Sequence, residues 1–257
     1  GRCYWLKVFR VPEAGRNTLG KALVNLVELE PGERPVARVC VRNFSGPGHI
    51  AMVTSGGRVK KSPLALYSRP RRKGIKAVKL EEGAELVSAL MTTGEDDLLI
   101  GTARGKAILF SEKEIRPMGR DTSGVRGISL AEGDRVVGMA RVTPGDRILT
   151  VTENGFGKLT PSSAYRKTHR GGKGIINIST AERNGDVVVV GVVNPEDELL
   201  LVSAGGIAIR LRAEDVRETG RNTMGVKLMS LSEGDRVSDA AILSSDSLQR
   251  CGDNSGE

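Results

Sequence analysis

Arginine, lysine and glycine recur together along this 257-residue chain at a nearly fixed step. The element reads Gly15-Arg16-Asn17-Thr18-Leu19-Gly20, then Arg71-Arg72-Lys73-Gly74, then Gly119-Arg120-Asp121-Thr122-Ser123-Gly124. It returns as His169-Arg170-Gly171-Gly172-Lys173-Gly174 and Gly220-Arg221-Asn222-Thr223-Met224-Gly225. The closing glycines lie 54, 50, 50 and 51 residues apart. The chemistry of such a loop is anion binding. Ammonium and guanidinium groups neutralise a phosphate oxygen, the guanidinium in bidentate fashion. Glycines beside them let backbone N–H groups approach the same oxygen. The charge is uneven. Arg69, Arg71, Arg72, Lys73 and Lys76 crowd the second loop, and Arg166, Lys167, His169, Arg170 and Lys173 the fourth. The others are thinner: Arg16 and Lys21, Arg120 and Arg126, Arg221 and Lys227. One charged loop is ordinarily a solvated surface. Five in phase, on a chain of formal charge +8, point to a polyanionic partner.

Other chemistries lack their residues. Gly171-Gly172-Lys173-Gly174 is not a P-loop, because no Gly-Lys pair in the chain is followed by Ser or Thr. The two histidines, His49 and His169, stand 120 residues apart without a cysteine pair, which argues against structural zinc. Glu81-Glu82 and Glu95-Asp96-Asp97 fall in turns, where solvation and edge protection account for them. Tyr67 and Tyr165 hold a repeat phase that Ile115 and Val216 occupy elsewhere, so they read as packing residues. Cys3, Cys40 and Cys251 are far apart and read as reduced thiols of a cytoplasmic protein. Nothing resembles a signal peptide, and no apolar run approaches the ~18 residues that cross a bilayer.

The elements that must position the loops keep the same step. A turn glycine divides two apolar runs at Gly57, Gly105, Gly155 and Gly206, with Gly1 in the equivalent place. An acidic turn glycine recurs at Gly32, Gly83, Gly133, Gly185 and Gly234. In the third unit, 97–102 and 106–111 read as a hairpin, 125–130 as a third strand and 136–140 as a fourth. Ser111 before Glu112, and Thr160 before Pro161, predict single helical turns. The first strands (50–53, 98–100, 148–151, 199–202) are the most continuously apolar and are expected innermost. With 33 glycines and only 3% aromatics, the composition suits short strands and tight turns. The fold class is all-β: a propeller-like disc of about five four-stranded blades, with a repeat of about 50 residues. The units fall at about 1–47, 48–95, 96–145, 146–195 and 196–243, followed by a disordered polar tail, 244–257.

These residues carry a resemblance. Arg170-Gly171-Gly172-Lys173-Gly174 matches five of seven positions of the Gln-Arg-Arg-Gly-Gly-Lys-Gly box of the C-terminal domain of bacterial DNA gyrase A; Thr168 and His169 depart from it. Residues 118–128, 153–158, 180–185 and 220–226 also resemble that family, and the likeness covers roughly residues 1–243. It implies a β-pinwheel, a disc whose blades exchange strands with their neighbours, open or gapped here because the chain resembles units two to six of six. It implies double-stranded DNA bent and wrapped without sequence preference around a basic rim, in support of negative supercoiling. The implied contacts are Arg16, Arg58, Lys60, Lys61, Arg69, Arg71, Arg72, Lys73, Lys106, Arg120, Arg126 and Lys158. They continue through Arg166, Lys167, Arg170, Gly171, Gly172, Lys173, Gly174, Arg210, Arg221 and Lys227. The domain is expected to be monomeric, non-catalytic, free of cofactor and metal, and off the membrane. The rest of gyrase A and the whole of gyrase B are its implied partners, and ATP and magnesium are bound elsewhere in the enzyme, in the bacterial cytoplasm at the nucleoid. The related C-terminal domain of topoisomerase IV is one alternative. A protein-binding propeller of the regulator-of-chromosome-condensation type is another.

Overall fold

The computed structural model describes residues 1–13 and 21–244. Secondary structure there is strand, turn and short 3-10 helix. Each unit from the second onward opens with a first strand: His49–Thr54, Asp97–Thr102, Arg147–Thr152 and Glu198–Ser203. A tight turn at the turn glycine leads to a second strand: Arg58–Pro63, Lys106–Ser111, Phe156–Pro161 and Ala208–Arg212. The unit closes on a fourth strand: Leu86–Thr92, Val136–Val142, Val187–Val193 and Val237–Leu243. In every one of these units the first strand pairs antiparallel with the second on one side and the fourth on the other.

The third strand leaves its own unit. Val125–Arg126 pairs with Val59 and Arg58 of the preceding unit, Ile175–Ile176 with Ala107 and Lys106, and Val226–Lys227 with Gly157 and Phe156. Ile75–Lys76 pairs likewise with Arg2–Cys3. Among the described residues this gives three four-stranded sheets, one three-stranded sheet and one two-stranded pair. The disc is therefore the expected all-β pinwheel, with four developed blades rather than five. Residues 125–130 are a strand only over Val125–Arg126. Thr160 is the penultimate residue of a strand, and Pro161, one residue later, caps the turn Ser162–Ala164. The turn Glu112–Glu114 forms as expected, with the Ser111 hydroxyl accepting from the Lys113 N–H.

The first strands are not innermost. They are the inner members of their sheets, with both edges paired, which is why Leu98, Leu99 and Ile100 are wholly buried. The fourth strands lie at the sheet edges where successive blades meet. A Cβ on Gly138 of one fourth strand would stand 2.7 Å from the Val190 carbonyl oxygen of the next. Apolar continuity therefore marks coverage on all sides rather than nearness to the axis. The cores lie between blades. Ala51, Val53 and Val59 pack with Leu98, Ile100, Ile108, Phe110 and Ile115 of the following unit, and Leu99 and Leu109 with Ile148, Tyr165 and Ile178.

The turn glycines Gly57, Gly105 and Gly155 and the closing glycines Gly74, Gly124, Gly174 and Gly225 sit at the same seams. Gly105 has φ +73°, and a Cβ there would meet the Ile178 carbonyl oxygen at 2.3 Å. Gly174 has φ +69°, and its Cβ would meet the Ala107 carbonyl oxygen at 2.6 Å. Left-handed backbone and close approach together exclude any side chain. The 50-residue rhythm is thus the rhythm of blade contacts.

Candidate nucleic-acid interface

Strand exchange builds the rim. The segment from the 3-10 turn to the third strand runs along the outer edge of the preceding unit's second strand. Parallel bridges join Lys61 to Pro117, Leu109 to Lys167 and Leu159 to Glu218. The outermost arc of each blade is therefore made by its successor: residues 68–76, 116–126, 166–176 and 217–227 in turn. The first arc holds five Lys and Arg and no carboxylate, the third holds four and none; the second and fourth each hold three against one carboxylate.

Charge on an arc is not all free. Arg120 donates to the Lys76 carbonyl at 3.2 Å. Arg170 donates to the Arg126 carbonyl at 3.0 Å and the Glu114 carbonyl at 3.1 Å. Arg221 donates to the Ile176 carbonyl at 2.6 Å and the Ala164 carbonyl at 2.7 Å. In each case one acceptor is the last residue of the preceding third strand. These half-buried arginines tie arc to arc and leave only part of the guanidinium for an outside anion. Gly171 likewise donates its N–H to the Gly127 carbonyl at 2.6 Å, so that amide is no phosphate donor. Gly172 is exposed, and its carbonyl accepts from Ser129 N–H.

Exposed cations remain. Arg69, Arg71, Arg72 and Lys73 are all exposed, with Arg72 ion-paired to Glu28 at 2.5 Å. Arg166, Lys167 and Lys173 are exposed, Lys167 pairing with Asp97 at 2.6 Å. Lys106, Arg126 and Lys227 stand exposed on the outer ladders. Arg58 is half-buried opposite Arg126 and pairs with Glu81 at 2.7 Å. Arg210 is exposed on the last second strand and pairs with Glu198. Arg16 lies outside the described residues. Sequence reasoning missed Arg116 and Arg217, both exposed. Their signal was available: each follows Ile115 or Val216 as Arg166 follows Tyr165.

Three expected contacts move inside. Lys60, Lys61 and Lys158 are only 1%, 3% and 0% exposed. Lys60 donates to the carbonyls of Ala77, Gly119 and Arg120 at 2.8, 2.9 and 2.7 Å. Lys158 donates to the carbonyls of Gly220 and Arg221 at 2.6 and 2.7 Å and to the Thr223 hydroxyl at 3.3 Å. Lys61 pairs with buried Glu112 at 3.2 Å. The middle of these two second strands is covered on both faces, so a cation there has no outward side to use.

Burial pushes Lys60 and Lys158 down to about 8. The unfolded chain then holds the proton more tightly than the folded one. Each group's contribution to stability is least favourable below pH 8 and rises as the pH climbs from about 8 toward the ordinary 10.5. Nitrogen-detected NMR of lysine Nζ should find two side chains titrating near pH 8, each lost in Lys60→Met or Lys158→Met. Ordinary titration of both would contradict the burial. Burial also pushes the Tyr165 phenol to about 12, and its hydroxyl donates to Asn177 Oδ1 at 2.5 Å. Tyr165 and Tyr67 lie in the cores.

A protein-family model described as the DNA gyrase C-terminal domain, beta-propeller, matches residues 1–34, 48–93, 96–143, 146–194 and 197–244. DNA gyrase A of Klebsiella oxytoca is 42% identical over 237 residues, 92% of this chain and 27% of that protein. The Clostridium acetobutylicum gyrase A is 41% identical over 254 residues, 99% of this chain and 31% of that protein. The chain thus spans about three-tenths of the length of such relatives. The crystal structure of the C-terminal domain of DNA topoisomerase IV superposes with TM-score 0.85 at 23% identity, over 93% of this chain and 75% of that one. A DNA gyrase A C-terminal domain gives 0.79 at 24%, over 87% and 75%. At those identities the two structures speak to the fold. The family match runs through every unit of the disc, and this chain belongs to the DNA gyrase C-terminal domain family.

Proposed function

We propose that the rim binds double-stranded DNA through its phosphates, bends it and wraps it along the arcs without reading sequence. The observation that carries this is the exchange of outer segments. It puts five, three, four and three Lys and Arg on successive arcs, with a single carboxylate on two of them. The exposed side chains are long, flexible and aimed outward from loops, which suits backbone contact more than groove reading. Bending 20–30 bp by 40–90° costs on the order of 1–6 kcal/mol, so contacts on several blades must act together. In the whole enzyme, the wrapped segment would be passed to a catalytic core made by the remainder of gyrase A with gyrase B. ATP and magnesium would act there, and negative supercoils would accumulate in the bacterial cytoplasm. The domain itself acts as a monomer.

Titration of a random-sequence duplex at increasing salt tests this. About six neutralised phosphates predict a slope of log K against log salt of about −5, with little change between sequences. A slope near zero, or affinity carried by one sequence, would sink the rim reading. Ligation of nicked circles in the presence of the protein, followed by removal of the protein, should shift the topoisomer distribution if the DNA is wrapped.

A further inference from the structure

The second strands differ at one inward position, buried in the second to fourth units, and the loops above them differ with it. Lys60, Ile108, Lys158 and Ile209 share a phase, three residues after Gly57, Gly105, Gly155 and Gly206. Lys60 lies beneath loop 119–124 and Lys158 beneath loop 220–225, both of the form Gly-Arg-Asx-Thr-x-Gly. In both, the threonine hydroxyl donates to the first glycine's carbonyl at 2.9 Å. In both, the carbonyls of the first Gly and Arg accept from the ammonium below. Ile108 lies beneath loop 169–174, which has no such threonine. Gly172 takes that place, where a Cβ would stand 3.6 Å from Ile108 Cδ1, and the loop carries its own exposed Lys173.

We propose that this position decides which loop a blade accepts from its successor: buried lysine takes a Gly-Arg-Asx-Thr loop, and isoleucine takes a Gly-Gly-Lys loop. The physical reason is reciprocal. A buried ammonium without acceptors is unfavourable, and so are inward carbonyls left over an isoleucine. Lys60 and Lys158 are then positioning residues. They hold the loops of Arg120 and Arg221 from below and touch no DNA. The loop code stands apart from the DNA reading; the claim about DNA contact rests on it.

A loop exchange tests both. In the full chain, Lys158→Ile is compared with the loop set Asn222→Gly, Thr223→Gly and Met224→Lys, and with all four substitutions together. Each half should lower the thermal midpoint, and the full exchange should recover more than half of the loss. If Lys158→Ile alone does not fold, folding of the full exchange supports the code and its failure overturns it. Strictly additive losses also overturn it. For DNA, Lys158→Ile with the exchanged loop should leave the salt slope unchanged once the slope of about −1 added by Met224→Lys is subtracted. A slope flatter than that value by about one would make Lys158 a phosphate contact and end the positioning role. If the wild-type chain binds no DNA, the rim reading fails, and the midpoints alone decide the code.

Discussion

Glu112→Ala is expected to destabilise the disc by about 3–5 kcal/mol, because it leaves a buried ammonium unpaired. Lys61 and Glu112 belong to adjacent units and are 3% and 0% exposed. Their charged atoms stand 3.2 Å apart, and Lys61 also donates to the Glu112 carbonyl at 2.9 Å. Burial alone would raise the Glu112 carboxyl. The N–H groups of Asp96 and Gly94, at 3.0 and 2.7 Å, outweigh it together with Lys61 and hold the carboxyl below its usual range. That depression fixes the sign with pH. The stabilisation is fully present above the ordinary carboxylate value and is lost as pH falls through the lower folded one.

The repeat supplies its own control for this experiment. The equivalent neighbours are Leu109 with Ser162, and Leu159 with Ala213. Two seams therefore manage without a charge. Lys61→Leu with Glu112→Ala copies one of them and should recover most of what Glu112→Ala loses, since removing both partners strands no charge. Urea denaturation of the two singles and the double gives the coupling. Equal midpoints for Glu112→Ala and wild type would mean that the pair is solvated, against its burial.

Much of this was legible because the glycines are constrained twice over. Gly105 and Gly174 need left-handed backbone and abut a neighbour's carbonyl, so they mark blade seams in the sequence. The destination of the third strand was not legible from residues. Val125 and Arg126 alternate equally well against either blade's second strand, and only the resemblance pointed to exchange. Lys60, Lys61 and Lys158 were misplaced for a related reason. A cation in a strand was read by its charge alone. Its phase, shared with buried Ile108 or with buried Leu109 and Leu159, was the better guide to burial in the second to fourth units. Arg120, Arg170 and Arg221 are more divided than their charge suggests: their loops lie on the outer arcs, while each guanidinium is partly engaged by a carbonyl of the preceding arc.

That division of labour singles out the second unit for the largest effect on DNA. Replacing Arg71, Arg72 and Lys73 together by glutamine should weaken binding on the order of a hundredfold near 0.1 M salt and flatten the slope by about 2.7, or 0.9 for each lost phosphate. All three side chains are exposed, and the one ion pair removed, Arg72 to Glu28, is a surface pair of little energetic weight. Stability should therefore stay within about 0.5 kcal/mol of wild type. The opposite pattern is expected for Arg221→Gln. Its guanidinium is bonded to the carbonyls of Ala164 and Ile176, so the loss should appear mainly in the thermal midpoint, with a small change in slope. Salt-dependent affinity and denaturation measured side by side on the two variants separate cations that face DNA from cations that bind one blade to the next. A triple variant with wild-type affinity and slope would move the DNA path off the first arc.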